Sequence, residues 1–499
     1  VNRKELDKVQ KEIVMAKYNT ATYVIEYELA FDNDNPSSVL DKLEKTAKAV
    51  YNDCLNECLK RYHKLIHDKE YQKLLKAYKT SNNKKDLNKQ LNDIALSYGY
   101  SEYSMHEYVK KPYEYFNKKL GSHECQKIAT RAFKTIEKLR YHQADKVNFK
   151  SKYDSFSIEG KSSTSKLHYC DDDLSISYGK YKYKLKIKRN DIYAQLALFD
   201  IVKYVRIYPK TIRGKRRWFV QLILKGTPPG KNRQYGESSK VQGIDIGTST
   251  IAVVSSDKTE MIELAPNCKE DEHKIRVLSR KLDRSRRANN PYNYNEDGTI
   301  TKGKHKWYKS KNYIKIQAKL KDEYRKLSVK RKQSHEILAN QIIAESTDIR
   351  VEKMNFKGLQ KRSLKTTINK NGKINSKKRY GKTIKNRAPG MLLSIIDRKL
   401  KYKNLELKKI NTFQVKASQY NPINGTYKKK QLKDRLVKLN EEIIVQRDLL
   451  SAYIIAHTND DLETIDAVSC YDDFNSFKKL QDNEIQRLKD SSQLSWYIH

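Results

Sequence analysis

Three carboxylates in this chain stand in settings suited to metal-assisted chemistry. Asp245 closes an apolar run in Gly243-Ile244-Asp245-Ile246-Gly247, Glu352 ends the run Ile349-Arg350-Val351-Glu352, and Asp448 opens Gln446-Arg447-Asp448-Leu449-Leu450-Ser451-Ala452-Tyr453. Taken singly, an acid at such a boundary is usually a solvated strand edge or a helix cap. Three in order, each bordering an apolar element, supply what two-metal phosphodiester hydrolysis requires. Carboxylate oxygens hold two Mg²⁺ ions about 4 Å apart; one ion activates water and the other stabilises the leaving oxygen. Mn²⁺ is expected to substitute. The glycines beside Asp245 are expected to let the backbone turn tightly next to the carboxylate.

The elements that must hold these acids can be sketched from hydrophobic periodicity. Residues 20–31 alternate as a strand, and Ser37 and Ser38 are positioned to cap a helix running to about residue 66. Its stripe of Leu40, Leu43, Ala47, Tyr51, Cys54, Leu55 and Cys58 has helical spacing. The predicted layout is a leader at 1–16, β structure at 17–37, a helical domain at 38–145, a second β part at 146–227 and a linker at 228–240. A third region, 241–410, carries two of the acids, with a basic helical insertion at 270–346 and a basic loop at 361–390. Segments 411–445, 446–460 (with Asp448) and an acidic, weakly patterned tail at 461–499 complete it. Strand 20–31 is expected to join the later β part in a barrel-like domain from which the helices of 38–145 are an excursion. Between the second and third acids a helix is expected at 391–404 and a strand at 405–410.

Composition narrows the partners. The 499 residues carry 103 Lys plus Arg against 60 Asp plus Glu, a net charge of +43, with 37% hydrophobic residues. That excludes wholesale disorder and points to an acidic polymer. With 35 Tyr against 11 Phe, nucleic acid is the natural one. No apolar run is long enough to span a membrane. The N-terminal stretch lacks a secretory core and the six cysteines imply no disulfide framework, so a cytoplasmic setting is expected. Basic residues interleaved with aromatic ones mark candidate phosphate contacts at Arg284, Arg286, Arg287, Lys304, Lys306, Trp307, Lys309, Lys311 and Lys315. The loop 361–390 holds eleven Lys or Arg and no acid. It is expected to be mobile without nucleic acid and to grip DNA through Lys377, Lys378 and Arg379. Cys54 and Cys58 read as core.

The ordered acids and their flanks resemble the split RuvC nuclease domain of the TnpB family, the transposon-encoded RNA-guided DNA nucleases, and of their relatives, the miniature type V CRISPR effectors. GIDIGTSTIAVVSS is similar to the first RuvC motif, RVEKMNFKGL to the second and QRDLLSAYIIAH to the third; NRAPGMLLSIIDRKL resembles the helix after the second motif. The resemblance implies a multidomain α/β protein: a β-barrel-like wedge with an inserted helical recognition domain, then a ribonuclease H-like nuclease domain with Asp245, Glu352 and Asp448 as catalytic metal ligands. It implies a guide RNA and target double-stranded DNA as partners, a single site cutting both strands beside a short flanking motif, and one copy rather than two on the guide. Tyr51, Asn52 and Asn56 on the first long helix are the candidates to read that motif.

The family's zinc ribbon before the third motif is not matched. Ser418, Gln419, Tyr420 and Asn421 stand near the first expected cysteine pair, and no cysteine lies between Cys268 and Cys470. No zinc is therefore expected, although the hairpin itself is compatible with the sequence. Two other readings remain open. One is guided DNA binding with weak or no cleavage. The other is a sugar kinase or chaperone-like ATPase, because GIDIGTST also resembles that superfamily's first phosphate-binding turn. The second glycine-rich loop such proteins need is missing, Asp297-Gly298-Thr299 being a weak imitation.

Overall fold

The computed structural model describes residues 21–81, 84–230, 234–364, 366–368, 380–430, 434–492 and 494. The leader at 1–16 and the basic residues Lys377, Lys378 and Arg379 lie outside the described residues. Two units divide the chain, Val1–Pro229 and Gly230–His499.

In the first unit, β1 (Thr22–Glu28) leads into helices α1 (Ser37–His67), α2 (Lys69–Thr80), α3 (Lys84–Ser97), α4 (Glu102–Tyr108), α5 (Lys110–Tyr115) and α6 (Ser122–Arg140). Strands β2 (Ile158–Glu159), β3 (Leu167–Cys170), β4 (Ser175–Tyr178) and β5 (Tyr181–Lys184) follow, then α7 (Ile192–Ala197), β6 (Val202–Ile212) and β7 (Lys215–Lys225). Alternation along β1 turns Tyr23, Ile25 and Tyr27 inward. The strand pairs antiparallel with β7, Thr22 opposite Lys225 and Glu28 opposite Phe219. Arg213 and Gly214 join β6 to β7 in a two-residue turn with φ of 50° and 77°. Positive φ at both positions is what a type I′ hairpin needs, and glycine meets it without strain.

The barrel expectation is not met. The sheets β1-β7-β6-β2 and β3-β4-β5 touch at a bridge between Leu29 and Leu185, and no barrel closes among the described residues. β2 is two residues long and β5 four, too short to carry the ladder round. On α1, Leu40, Leu43, Ala47, Val50, Tyr51, Cys54, Leu55 and Cys58 are buried in one core with Cys125, Ile128, Ala129, Ala132 and Ile136 of α6. The predicted serine cap does not form: Ser37 is the first helical residue, and Pro36 occupies the cap position without a side-chain bond.

The second unit runs β8 (Glu237–Ile246), β9 (Thr250–Val254), β10 (Thr259–Glu263), α8 (Lys269–Ala288), α9 (Lys311–Glu345), β11 (Ser346–Glu352), α10 (Phe356–Leu359), α11 (Gly381–Arg387), α12 (Pro389–Lys401), β12 (Lys408–Ile410) and α13 (Thr412–Val415). It closes with β13 (Leu436–Lys438), β14 (Ile444–Gln446), α14 (Arg447–Ala456), α15 (Ala467–Asp472) and α16 (Phe474–Asp490). The main sheet has the order β10-β9-β8-β11-β12. β10, β9 and β8 form an antiparallel meander, and β11 and β12 continue it parallel to β8.

Period-two alternation sorts the two faces. Ile244 and Ile246 of β8, Ile251 and Val253 of β9, and Ile349 and Val351 of β11 pack with α9 and α12. Ala252 and Val254 of β9 and Ile410 of β12 pack with α14 and α16 on the other face. Several expected boundaries move. The linker at 228–240 already contains the start of β8, which pairs Glu237 with Ser346. Helix α11 stands inside the loop 361–390, and α12 begins at Pro389 rather than 391. The segment 461–499 is no weakly patterned tail, since it holds α15 and α16. Phe477 of α16 stacks on Tyr453 of α14 with ring centroids 4.3 Å apart. The stripe was obscured because two of its buried positions are polar: Gln481 accepts from the Gln446 N–H at 2.8 Å and Glu484 from the Met261 N–H at 2.9 Å.

Candidate active site

Asp245 and Glu352 reach one place through strand alternation. Gly243 and Asp245 share the face of β8 opposite Ile244 and Ile246, and Glu352 shares the corresponding face of β11. The parallel register pairs Gly243 with Arg350 and Ile244 with Val351. Asp245 and Glu352 each follow directly, on neighbouring strands about 4.8 Å apart.

Helix α14 lies over this face and brings the third acid in its first turn. Its start is fixed by Gln446, whose side chain accepts from the Leu449 N–H at 2.8 Å. Its far end is tied to β11 by buried Arg350, which donates to the Thr458 carbonyl, to Asp460 at 2.8 Å and to Asp348 at 3.2 Å. Between these ends the helix backbone rests on Gly243. A Cβ there would press into the Ala452 carbonyl and the Ala456 N–H, well inside van der Waals contact. The expected tight turn follows Asp245, β8 reversing into β9 with the Gly247 N–H donating to the Thr250 carbonyl at 2.9 Å; neither Gly243 nor Gly247 has positive φ, and at Gly243 the missing side chain matters, not backbone freedom.

The three carboxylates are half-buried. Desolvation pushes the Asp245 carboxyl well above the usual range, and the charges of Asp448 and Glu352 push it further; Arg447 and a hydrogen bond with Ser451 partly offset this. Burial also raises Glu352. Such mutual repulsion among oxygen donors is what a hard divalent cation relieves, so the donor set fits Mg²⁺. Asp448 accepts from Arg447 Nε at 3.1 Å and lies 3.6 Å from Arg435 Nη1. Among the described residues no group of three His, Cys, Asp or Glu side chains converges closely enough to share one ion.

Sequence reasoning did not single out Lys430. Among the described residues its buried ammonium finds no hydrogen-bond partner, and desolvation, then the charge of Arg447, lowers it to about 8. It closes the run Lys428-Lys429-Lys430, which reads as a solvated face, and no sequence signal separates its last member.

The remaining candidates divide. Arg284, Lys304, Lys306, Lys309, Lys311 and Lys315 are exposed on or between α8 and α9. Arg286 and Arg287 are engaged internally, with Asp283 at 2.8 and 2.9 Å. Arg287 also donates to the Gly298 carbonyl at 3.0 Å. Trp307 packs edge-on against Tyr294 at 5.8 Å beneath Arg286, which makes it a strut of the loop between the helices. Asp297 caps its own turn by accepting from the Thr299 N–H at 2.8 Å.

On α1, Tyr51 is core. Asn52 spends its amide on Lys150, donating to its carbonyl at 2.8 Å and accepting from its N–H at 2.7 Å. With Tyr51 buried and the Asn52 amide already paired, the motif-reading expectation is corrected for these two; Asn56 alone of the three is exposed.

Where cysteines were missed, Tyr420 is buried and its ring meets Tyr427 at 5.1 Å. Asn421 donates to the Leu439 carbonyl at 3.0 Å. Val415, Ala417, Val437, Leu439 and Val445 join this segment to the core of α14. Apolar packing holds the β13–β14 hairpin.

No protein-family model matches this chain, and no curated protein matches it. Among solved structures, a cryo-EM Cas12f1–sgRNA–target DNA complex is similar with a TM-score of 0.48 and 13% identity, covering 92% of this chain and 87% of that one. A CRISPR–Cas12f ternary complex is similar with a TM-score of 0.24 and 14% identity, covering 93% and 86%. Among the described residues no helix is long and apolar enough to cross a membrane.

Proposed function

We propose that this chain is an RNA-guided, Mg²⁺-dependent DNA endonuclease that cuts both strands of a target duplex in one acid site. The observation that carries the proposal is the placement of three acids where α14 meets the sheet: Asp245 and Glu352 at the ends of neighbouring strands, and Asp448 in the first turn of the helix that rests on Gly243. When bound, Mg²⁺ would supply an activated water and charge for the leaving oxygen. Asp245, Glu352 and Asp448 would hold two such ions between them rather than one ion in common.

The chain's own contributions follow from its geometry. Gly243 and Arg350 set the seat of α14, and with it Asp448. Ser451 steadies Asp245. Lys430 offers a buried positive charge near Arg447 that has no hydrogen-bond partner among the described residues, and an entering phosphate would satisfy it. The exposed lysines of α8, α9 and the loop between them would run along the guide–target duplex, whose sequence is read by base pairing. Guide RNA and target DNA are the proposed partners, supported by the net charge of +43 and by the motifs that resemble the RNA-guided nucleases.

A second reading, guided DNA binding without cutting, is favoured by one observation: Asp448 is engaged by Arg447 and Arg435. The deciding experiment is to purify the protein with its copurifying RNA, sequence that RNA and incubate the complex with a matched plasmid in Mg²⁺. Nicking or linearisation that EDTA abolishes and Mn²⁺ restores supports the nuclease. Tight matched binding with an intact plasmid supports the second reading.

A further inference from the structure

The carboxyl ends of parallel strands β8, β11 and β12 share one edge of the sheet, where open α/β folds place their ligands. Asp245 and Glu352 stand there, and Glu352 pairs in register with Ile410, the last residue of β12. The chain then turns into α13, which presents Phe413 to solvent at 89% exposure.

An exposed phenylalanine alone needs no explanation. This one is held by a fixed platform. The Asn411 N–H donates to the Leu462 carbonyl at 2.8 Å, and the Asn411 side chain accepts from the Phe413 N–H at 3.2 Å. Val415 and Ala417, two and four residues further on, are fully buried in the core that contains Leu449 and Leu450, the two residues that follow Asp448 in α14. Lys416 leaves the turn with φ of 45°, and both it and Lys409 are exposed. An aromatic ring held in water and flanked in sequence by exposed lysines, on a turn whose buried residues share a core with the helix that carries a candidate metal ligand, has the makings of a stacking platform for a single strand.

We propose that Phe413 binds an unpaired nucleobase of the strand delivered to the acid site, stacking on it while Lys409 and Lys416 meet the neighbouring phosphates. The inference rests on the nuclease reading for the identity of the strand, but the contact can be tested without cutting. Each stacked base contributes about 1–3 kcal/mol by alanine substitution, roughly a 5- to 150-fold change in affinity. The ring is exposed, so its replacement leaves the core intact.

The test titrates the full-length protein with fluorescein-labelled hexathymidylate, without Mg²⁺, following binding by anisotropy. Phe413→Trp should show tryptophan quenching in step with binding, beyond the response of the wild-type protein. Phe413→Leu, equally apolar but without a ring, should weaken binding at least 5-fold, and Phe413→Tyr should restore it. Unchanged emission from the Phe413→Trp variant at saturating oligonucleotide, or wild-type affinity in the leucine variant, overturns the contact. Quenching by a protein whose guided complex never nicks matched DNA would keep the stacking contact and refute the nuclease reading. Normal nicking by Phe413→Leu without quenching in Phe413→Trp would do the reverse.

Discussion

Gly243 and Ala452 are in backbone contact: the glycine of β8 leaves no room for a Cβ beneath the carbonyl of Ala452 in α14. This approach lets Asp448, one turn earlier on the helix, lie close enough to raise the Asp245 carboxyl. Gly243→Ala must lift α14, because the obstruction is helix backbone that cannot rotate away. Overpacking typically costs about 1–3 kcal/mol. Thermal unfolding should show the loss, with DNA cutting falling further than stability does; a variant with wild-type melting and cutting would mean the helix has room to shift.

Asp245→Asn should abolish cutting and leave guide and target binding intact, because it removes a metal ligand rather than a phosphate contact. In EDTA it should be at least as stable as the wild-type protein, since it removes a half-buried charge repelled by Asp448 and Glu352. Saturating Mg²⁺ should stabilise the wild-type protein by about 1–3 kcal/mol and the variant far less. Glu352→Gln and Asp448→Ala should behave alike in cutting. Near-normal cleavage by any one of them would remove that residue from the site.

Glu124 gives a pH signature remote from the acid site. It is fully buried in the first unit, accepts from the Leu167 N–H at 2.9 Å, and is raised above the ordinary glutamate range by burial. A folded-state value above the unfolded one makes the contribution greatest below the unfolded value, about 4.3, and lost as pH rises through the folded one. Glu124→Gln keeps the acceptor and cannot ionise. Denaturant unfolding of the wild-type protein should therefore weaken, relative to the variant, as pH rises above about 4.3; parallel curves would show that Glu124 does not titrate abnormally.

Phe477→Ala should cost about 3–5 kcal/mol, because its ring is buried against Tyr453 and Phe474. Truncation after residue 461 should yield insoluble protein, since it strips the cover from α14 and removes the Gln481 acceptor of the Gln446 N–H. A soluble, folded truncation would show that α16 is dispensable.

Zinc chelators at neutral pH should leave the melting temperature unchanged, because Tyr420, Asn421 and their apolar neighbours already hold the β13–β14 hairpin. Stoichiometric zinc in the purified protein would contradict this.

The placement of the candidate acids was legible from residue types alone. Strand periodicity puts Asp245 and Glu352 opposite the isoleucines and valines that must be buried, and an apolar run after Asp448 announces its helix. Chain order and charge, which are local or additive, likewise suffice for the nucleic-acid expectation. The remainder depended on contacts between residues far apart in sequence. That Gly243 serves close approach rather than a turn is visible only with α14 in place. Asn52 and Trp307 look like nucleic-acid contacts by type, but tertiary partners claim them: the backbone of Lys150, and Tyr294 with Arg286. Gln481 and Glu484 break the apolar stripe of α16 because their partners are backbone N–H groups supplied by β14 and β10. Lys430 becomes exceptional only through its burial. Side-chain type and spacing determined which groups were capable of the chemistry; packing decided which remained available for it, because a donor, acceptor or charge already satisfied within the fold has little left to offer a ligand.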